Sequence, residues 1–152
     1  MSEDRPSGSS RVEHQELRDE LFRAQRTGGQ TGEAATAVMK VLFPHMVLEE
    51  EYAMPPLKLL QRLARGDVPP EMTRILPKTE TLKAELPKML EEHKQIVKAL
   101  RDLIRAATEE KHTGFAQLAT KMIAHAQLEE EMLYPAAILV GEYIKLKLGK
   151  TA

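Results

Sequence analysis

Apolar residues recur at helical spacing in four stretches of this chain, and in each stretch a histidine stands where an apolar residue belongs. Between Glu13 and Thr27, His14, Leu17, Leu21 and Ala24 fall at i, i+3, i+7 and i+10, one stripe of a helix. Gly28, Gly29 and Gly32 break the pattern. It resumes from Glu33 to Met54, with Val38, Val41, Leu42, His45, Leu48, Glu49 and Tyr52 on one side. A third helix is predicted to start between Lys78 and Leu82 and to run through His93, Ile96, Leu100, Leu103 and Ala107. Beyond Thr113-Gly114 a fourth carries Phe115, Leu118, Met122, His125, Leu128, Glu129 and Met132, and ends near Tyr134-Pro135 or continues toward Leu148-Gly149. Pro44 and Pro87 fall inside predicted helices, and a kink is expected beside His45 because proline removes one backbone hydrogen bond. Pro55-Pro56 ends or bends the second helix, and Leu57 to Ala64 extends it briefly. Gly66, Pro69, Pro70 and Pro77 then mark an irregular crossover. Residues 1–11 form a polar tip expected to be disordered. Residues 12–148 form one all-α domain with halves of about 12–65 and 78–148.

The two halves share a motif. His45-Met-Val-Leu-Glu49-Glu50-Glu51 with Pro55 and His125-Ala-Gln-Leu-Glu129-Glu130-Glu131 with Pro135 both read H-x-x-L-E-E-E-x-x-x-P. His14 lies 31 positions before His45, and His93 lies 32 before His125. The midpoint of the first pair falls in the glycine-rich turn, and that of the second just before Thr113-Gly114. In an antiparallel hairpin, residues equidistant from the turn share a height, here about 24 Å along each arm at 1.5 Å per residue. The expected architecture is therefore an up-down-up-down antiparallel four-helix bundle with an internal two-fold helix-hairpin repeat, all four histidines meeting in one layer.

That layer defines the candidate chemistry. His at i and Glu at i+4 point the same way from a helix. Two such helices face each other with two imidazoles and two carboxylates, a ligand set suited to iron and, less well, to zinc or manganese. His14, His45, Glu49, His93, His125 and Glu129 are the predicted ligands of two metal ions. Glu49 and Glu129 are expected to bridge them, with an oxo or hydroxo bridge between the ions and one position per metal open to a small molecule. Any one of these histidines alone would be read as an interior side chain satisfied by a glutamate. Two ionised glutamates on core faces, however, call for cations. Tyr52, seven residues after His45, is predicted to point toward the metal layer, where its phenol could ligate ferric iron or hydrogen-bond a bound oxygen species; packing beside the site is the alternative. Met132, at the matching position, is expected to fill core, and Glu51 and Glu131 to face solvent. Glu50 and Glu130 are second-choice ligands, and His112 is expected at a helix end.

Composition narrows the choice further. The chain has no cysteine, which excludes thiolate sites, and its 22 basic and 23 acidic residues are interspersed, so no nucleic-acid partner is expected. No apolar signal core or membrane span is evident, and a cytoplasmic protein without a membrane partner is predicted. Ferritin-like sites take Glu-x-x-His pairs. This sequence offers only Glu109-x-x-His112, the other four histidines having Arg11, Leu42, Leu90 and Met122 three residues upstream. H-E-x-x-H, P-loop, G-x-G-x-x-G and G-x-S-x-G signatures are missing.

At these residues the sequence resembles the hemerythrin-like proteins with an HHE cation-binding domain, over roughly residues 12 to 140. His14, His45 with Glu49, His93, and His125 with Glu129 match the family pattern, and Glu130, Leu133, Tyr134 and Pro135 match its E-x-x-L-Y-P ending. The resemblance implies two non-haem iron ions reacting with dioxygen, hydrogen peroxide or nitric oxide. It departs from the oxygen-carrying members, which have a fifth histidine one turn from the helix-three ligand and an aspartate at the last ligand position. Here Met89 and Val97 flank His93 at one turn, and the last position is Glu129. That difference shifts the expectation from oxygen storage toward turnover of a small oxidant, with reversible binding or sensing as the alternative.

Overall fold

A computed structural model of the chain describes residues 5–149, with side chains from Glu13 onward. Among the described residues there is no strand, and the helices are α1 (Arg5–Thr27), α2 (Gly29–Leu48), α3 (Met54–Leu57), α4 (Leu60–Ala64), α5 (Leu76–Glu109), α6 (Thr113–Leu128) and α7 (Tyr134–Leu148). The tip expected over residues 1–11 lies partly outside the described residues, while the backbone from Arg5 already belongs to α1. The third long helix starts at Leu76, two residues before the predicted window, because Pro77 occupies its first turn, where a missing N–H costs nothing. Both α2 and α5 run through their internal prolines, Pro44 and Pro87. α1 packs on α2, α2 on α5, and α5 on both α6 and α7, giving four helical arms consistent with a bundle.

The departure from regular helix comes one turn after Pro44. Glu49–Ala53 and Glu129–Leu133 are π-helical turns joining α2 to α3 and α6 to α7. In each the N–H of the residue before proline reaches back five residues, Met54 to the carbonyl of Glu49 and Tyr134 to that of Glu129. Pro55 and Pro135 have no N–H to continue the ladder and stand in the first turn of the following helix. The wide turn therefore absorbs one extra residue just before each proline, and the helix restarts in a rotated register.

Apolar stripes build the core in three groups. One, around Leu21, Val38, Leu42, Met46, Ile96, Leu100, Leu103 and Met122, fills the arms toward the α1–α2 and α5–α6 turns. A second joins Ala53, Leu57, Leu82, Met89, Tyr134 and Ala137, and a third Leu63, Met72, Leu76, Val140 and Ile144. Each fully buried aliphatic side chain of this kind contributes about 1.5–3 kcal/mol. Two polar devices fix the arms. The α2 N-cap, Gly28, supplies no side-chain bond, and instead the Glu110 carboxylate from the α5–α6 turn accepts from the backbone N–H groups of Gln30 and Thr31 (both 2.9 Å) and from Thr31 Oγ1 (2.6 Å). Lys145 on α7 reaches Glu80 on α5 at 2.7 Å.

α5 and α7 approach most closely where Gly141 faces Thr79, and a Cβ on Gly141 would land inside contact distance of the Thr79 side chain. Gly141→Ala is expected to lower unfolding stability by about 1–3 kcal/mol through overpacking. Gly114→Ala, where a Cβ meets open space, should be neutral or slightly stabilising. Urea denaturation of the two variants checks the contrast.

Candidate metal centre

The four histidine arms and the two π turns converge between the first two core groups. His14 from α1, His45 from α2 and His93 from α5 are each 2% exposed, Glu49 is 3% and Glu129 6%; His125 from α6 is half-buried. One group of donor atoms within 4.8 Å of one another comes from His45, Glu49, His93 and Glu129, and a second from His14, His125 and Glu129. The six residues expected from the sequence are thus brought to one place.

The two glutamates connect the groups. Glu49 presents Oε1 to His14 Nε2 and Oε2 to His45 Nε2, each at 3.4 Å. Glu129 presents Oε1 to His93 Nε2 at 3.3 Å and Oε2 to His125 Nε2 at 3.0 Å. Each carboxylate therefore offers one oxygen to each group. The i+4 spacing from His45 to Glu49 and from His125 to Glu129 places both members of each pair on the inner face of the helix, and the π turn begins at the glutamate itself.

Around this cluster the histidines are held from behind. Nδ1 of His14 bonds Glu50 (3.1 Å), that of His45 bonds Glu92 (2.8 Å) and that of His93 bonds Glu130 (3.0 Å). Arg18 donates to Glu50 at 3.0 Å. Glu50 and Glu130, second-choice ligands from the sequence, thus stand outside the cluster as partners of ligand rings, as does Glu92, which sequence reading missed. Its position next to His93 was a usable signal, since a carboxylate there points toward the neighbouring arm. Glu51 and Glu131 face solvent as expected, and His112 stands at the N-cap of α6 with its ring 6.2 Å from Phe115.

The outer bonds decide how well the donors suit a cation. A neutral imidazole whose Nδ1 carries the proton for an outer carboxylate has a bare lone pair on Nε2. With the rings neutral, as a metal ion requires, three such lone pairs face carboxylate oxygens, and the Nε2 atoms of His45 and His93 stand 2.8 Å apart. Acceptor faces acceptor, an arrangement that protons relieve only in part. His125 Nε2 is buried and, though 3.0 Å from Glu129, is out of line for a hydrogen bond to it. A buried nitrogen with no hydrogen-bond partner, aimed at a carboxylate, fits a metal ion between them. The enclosed space is small, about 20 Å³, against the roughly 10–15 Å³ that one water needs.

Charge redistribution within the metal-free cluster follows from the same crowding. Burial and the Glu129 charge push the Glu49 carboxyl up to about 7. Burial alone would raise Glu129 too, but the adjacent imidazoles of His125 and His93 and the nearby Glu49 carboxyl hold it well below the usual carboxylate range. Burial opposes protonation of His45, yet bonds to Glu49 and Glu92 and the nearby charges raise it to about 9. For His14 burial prevails and lowers the imidazole.

The phenol in the site belongs to Tyr134, not Tyr52. Tyr134 is 1% exposed, and its hydroxyl donates to Glu49 and lies 3.0 Å from His45 Nε2, 3.1 Å from His93 Nε2 and 3.3 Å from Glu129 Oε1. Burial and the two glutamate charges push it far above the ordinary phenol range. Tyr52 instead packs half-buried on the second core group, with the Lys78 ammonium 5.7 Å from its ring centroid. The π turn explains the exchange. A bond reaching back five residues places position +5 after each glutamate one turn above it, so Met54 and Tyr134 turn inward. Tyr52 and Met132, at +3, turn away, and Met132 is 60% exposed rather than core. The signal was Pro135, read as a stop rather than as the restart of a rotated helix.

An all-helical protein with a buried cluster of histidines and glutamates able to hold metal ions is what the fold and the site define. The family model for the hemerythrin HHE cation-binding domain matches residues 10–137, and the chain belongs to that family. Neither the curated proteins nor the solved structures contain a match.

A cation occupying the cluster must displace the protons on Glu49 and His45. With the His125 imidazole raised as well, the apparent affinity is therefore expected to rise steeply with pH through neutrality up to about 9, then to level off. Competition with a chromophoric chelator between pH 6 and 9.5 measures this, and a flat profile would contradict it. Glu92→Ala, which removes the partner of His45 Nδ1, should weaken metal affinity by about 10–100-fold with the fold intact.

Proposed function

We propose that this chain is a non-haem di-iron protein that binds and reacts with a small oxidant, hydrogen peroxide, dioxygen or nitric oxide. In this reading His45 and His93 would hold one iron and His14 and His125 the other, with Glu49 and Glu129 each offering an oxygen to both and an oxo or hydroxo group expected between the ions. The observation that supports it best is the division of each carboxylate, one oxygen toward each histidine pair, which a single-metal site would not need. The repeated motif and an up-down-up-down arrangement of the four arms agree with it. Family membership favours iron, which suits imidazole and carboxylate together.

When bound, two irons supply two electrons to an oxidant without a haem, carried in one site. The chain's own residues would set the conditions. The apolar lining of Leu42, Met46, Ile96, Leu100 and Met122 excludes bulk water and strengthens the electrostatics within. Glu50, Glu92 and Glu130 orient three of the imidazoles and fix which ring nitrogen faces inward. Tyr134, a neutral phenol among the donors, is placed to donate a hydrogen bond or proton to an oxygen or nitrogen atom bound at the His45–His93 side. Without the fifth histidine, more of the coordination sphere is left to exogenous ligands, which favours turnover over storage. Reversible binding of oxygen or nitric oxide, or sensing without turnover, is the second reading, favoured by the tight enclosure.

Elemental analysis of protein expressed in iron-replete medium is expected to give two irons per chain with near-ultraviolet oxo-to-iron absorption. Glu129→Ala should lose most of both metals and His112→Ala none; full iron loading of Glu129→Ala would contradict the bridging role. Ferric protein mixed with hydrogen peroxide should evolve oxygen, and Tyr134→Phe should slow this by about 10²–10⁴-fold if its proton is used. Saturable, reversible ligand binding without consumption would instead establish the second reading.

A further inference from the structure

Three of the four site histidines are closed in, and the fourth is not. The side chains of His14, His45 and His93 are 1–2% exposed, whereas that of His125 is 25% exposed. It is also the one whose Nδ1 has no carboxylate partner among the described residues. Its outer edge borders a cleft of about 300 Å³ between α1 and α6, lined by Glu13, Glu16, Leu17, Glu20, Lys121 and Met122 as well as His125. Leu17, Met122 and His125 line the internal cavity too, so the cleft and the cavity meet at these three side chains. The other apolar residues of the cavity, Leu42, Met46, Ile96 and Leu100, are all buried.

The rim is acidic. Glu13 and Glu16 are exposed, and Glu20 is partly covered and paired with Arg23 on its own helix. Among the described residues Lys121 is the one cation lining the cleft. Glu13 precedes His14 as Glu92 precedes His93, and Glu92 closes on the ring of His45. Glu13 makes no corresponding bond to His125, and both side chains line the cleft. The position that would seal the fourth histidine is therefore open, and its carboxylate stands at the mouth.

We propose that the α1–α6 cleft is the inlet through which a divalent cation reaches the buried donors. Glu13 and Glu16 draw the ion in, His125 is the first ligand it meets, and Leu17 and Met122 form the neck. The proposal rests on the metal-binding reading of the cluster. A cleft lined by one sign of charge with apolar walls raises the local concentration of a counter-ion and its rate of arrival, typically by 10–10³-fold. The same neck admits only small species, consistent with the volume behind it.

The test is the rate at which metal-free protein takes up Co²⁺, followed by stopped-flow visible absorption, with stoichiometry read from the endpoint. The variant Glu13→Gln/Glu16→Gln is expected to slow uptake on the order of tenfold and flatten its dependence on salt, with the endpoint unchanged. Leu17→Phe should slow uptake further and Leu17→Ala accelerate it. Glu91→Gln/Asp102→Asn, exposed carboxylates on α5, should match the parent chain. Normal stoichiometry with wild-type rates in both the Gln pair and the Leu17 variants overturns the inlet while leaving the metal site standing. Absence of stoichiometric uptake by the parent chain overturns the metal reading and the inlet with it.

Discussion

The structure depends on the burial of two carboxylates, Glu49 and Glu129, among four imidazoles. Placing unpaired charge in a protein interior is among the costliest things a fold can do, and replacing either glutamate by an apolar residue would ease the metal-free core. Their retention at facing positions organises everything near them. Three outer glutamates fix three rings, the rings aim lone pairs inward, and the carboxylates answer with more acceptors. The result is a pocket that positive charge from outside the polypeptide would stabilise, as protons on Glu49 and His45 do without it. A cation bound there would couple its binding to folding through that shared requirement.

Much of this was legible in the sequence because it obeys the regular helical period. Histidines at stripe positions, the His-x-x-x-Glu spacing and the placement of the turns identified six residues that the fold does bring together. The helix ends were less exact for local reasons: Pro77 serves as an initiator, and Gly29 and Gly32 stand in the first turn of α2, which starts before the expected Glu33. What escaped was anything beyond a break in the period. Extrapolating 100° per residue past Glu49 put Tyr52 inside. The backbone widens at that very residue, one residue is inserted, and the inward position one turn on becomes Met54 rather than Tyr52.

The outer carboxylates show a different limit. Glu50 and Glu130 belong to the same motif as the ligands, so their proximity was visible, but not their role. Whether a glutamate one residue past a ligand turns in or reaches behind a ring depends on which neighbouring arm presents its Nδ1. Glu92 is the clearest case, since it crosses from α5 to α2 and acquires meaning only when the two helices are packed. Contacts of this kind lie between elements, and a one-dimensional pattern carries little trace of them.

The two π turns create equivalent backbone slots, one filled by Met54 and the other by Tyr134. One slot holds a soft thioether side chain and the other a hydroxyl, so a frame that is nearly two-fold in its ligands is polarised in its chemistry. The half of the site near Tyr134 has a proton source and no visible way in. The half near His125 has the opening and no phenol. Two chemically identical ions held here would cease to be interchangeable, and a molecule spanning them would experience a direction: an arrival end and a protonation end, set by a single methionine-for-tyrosine difference between otherwise matching turns.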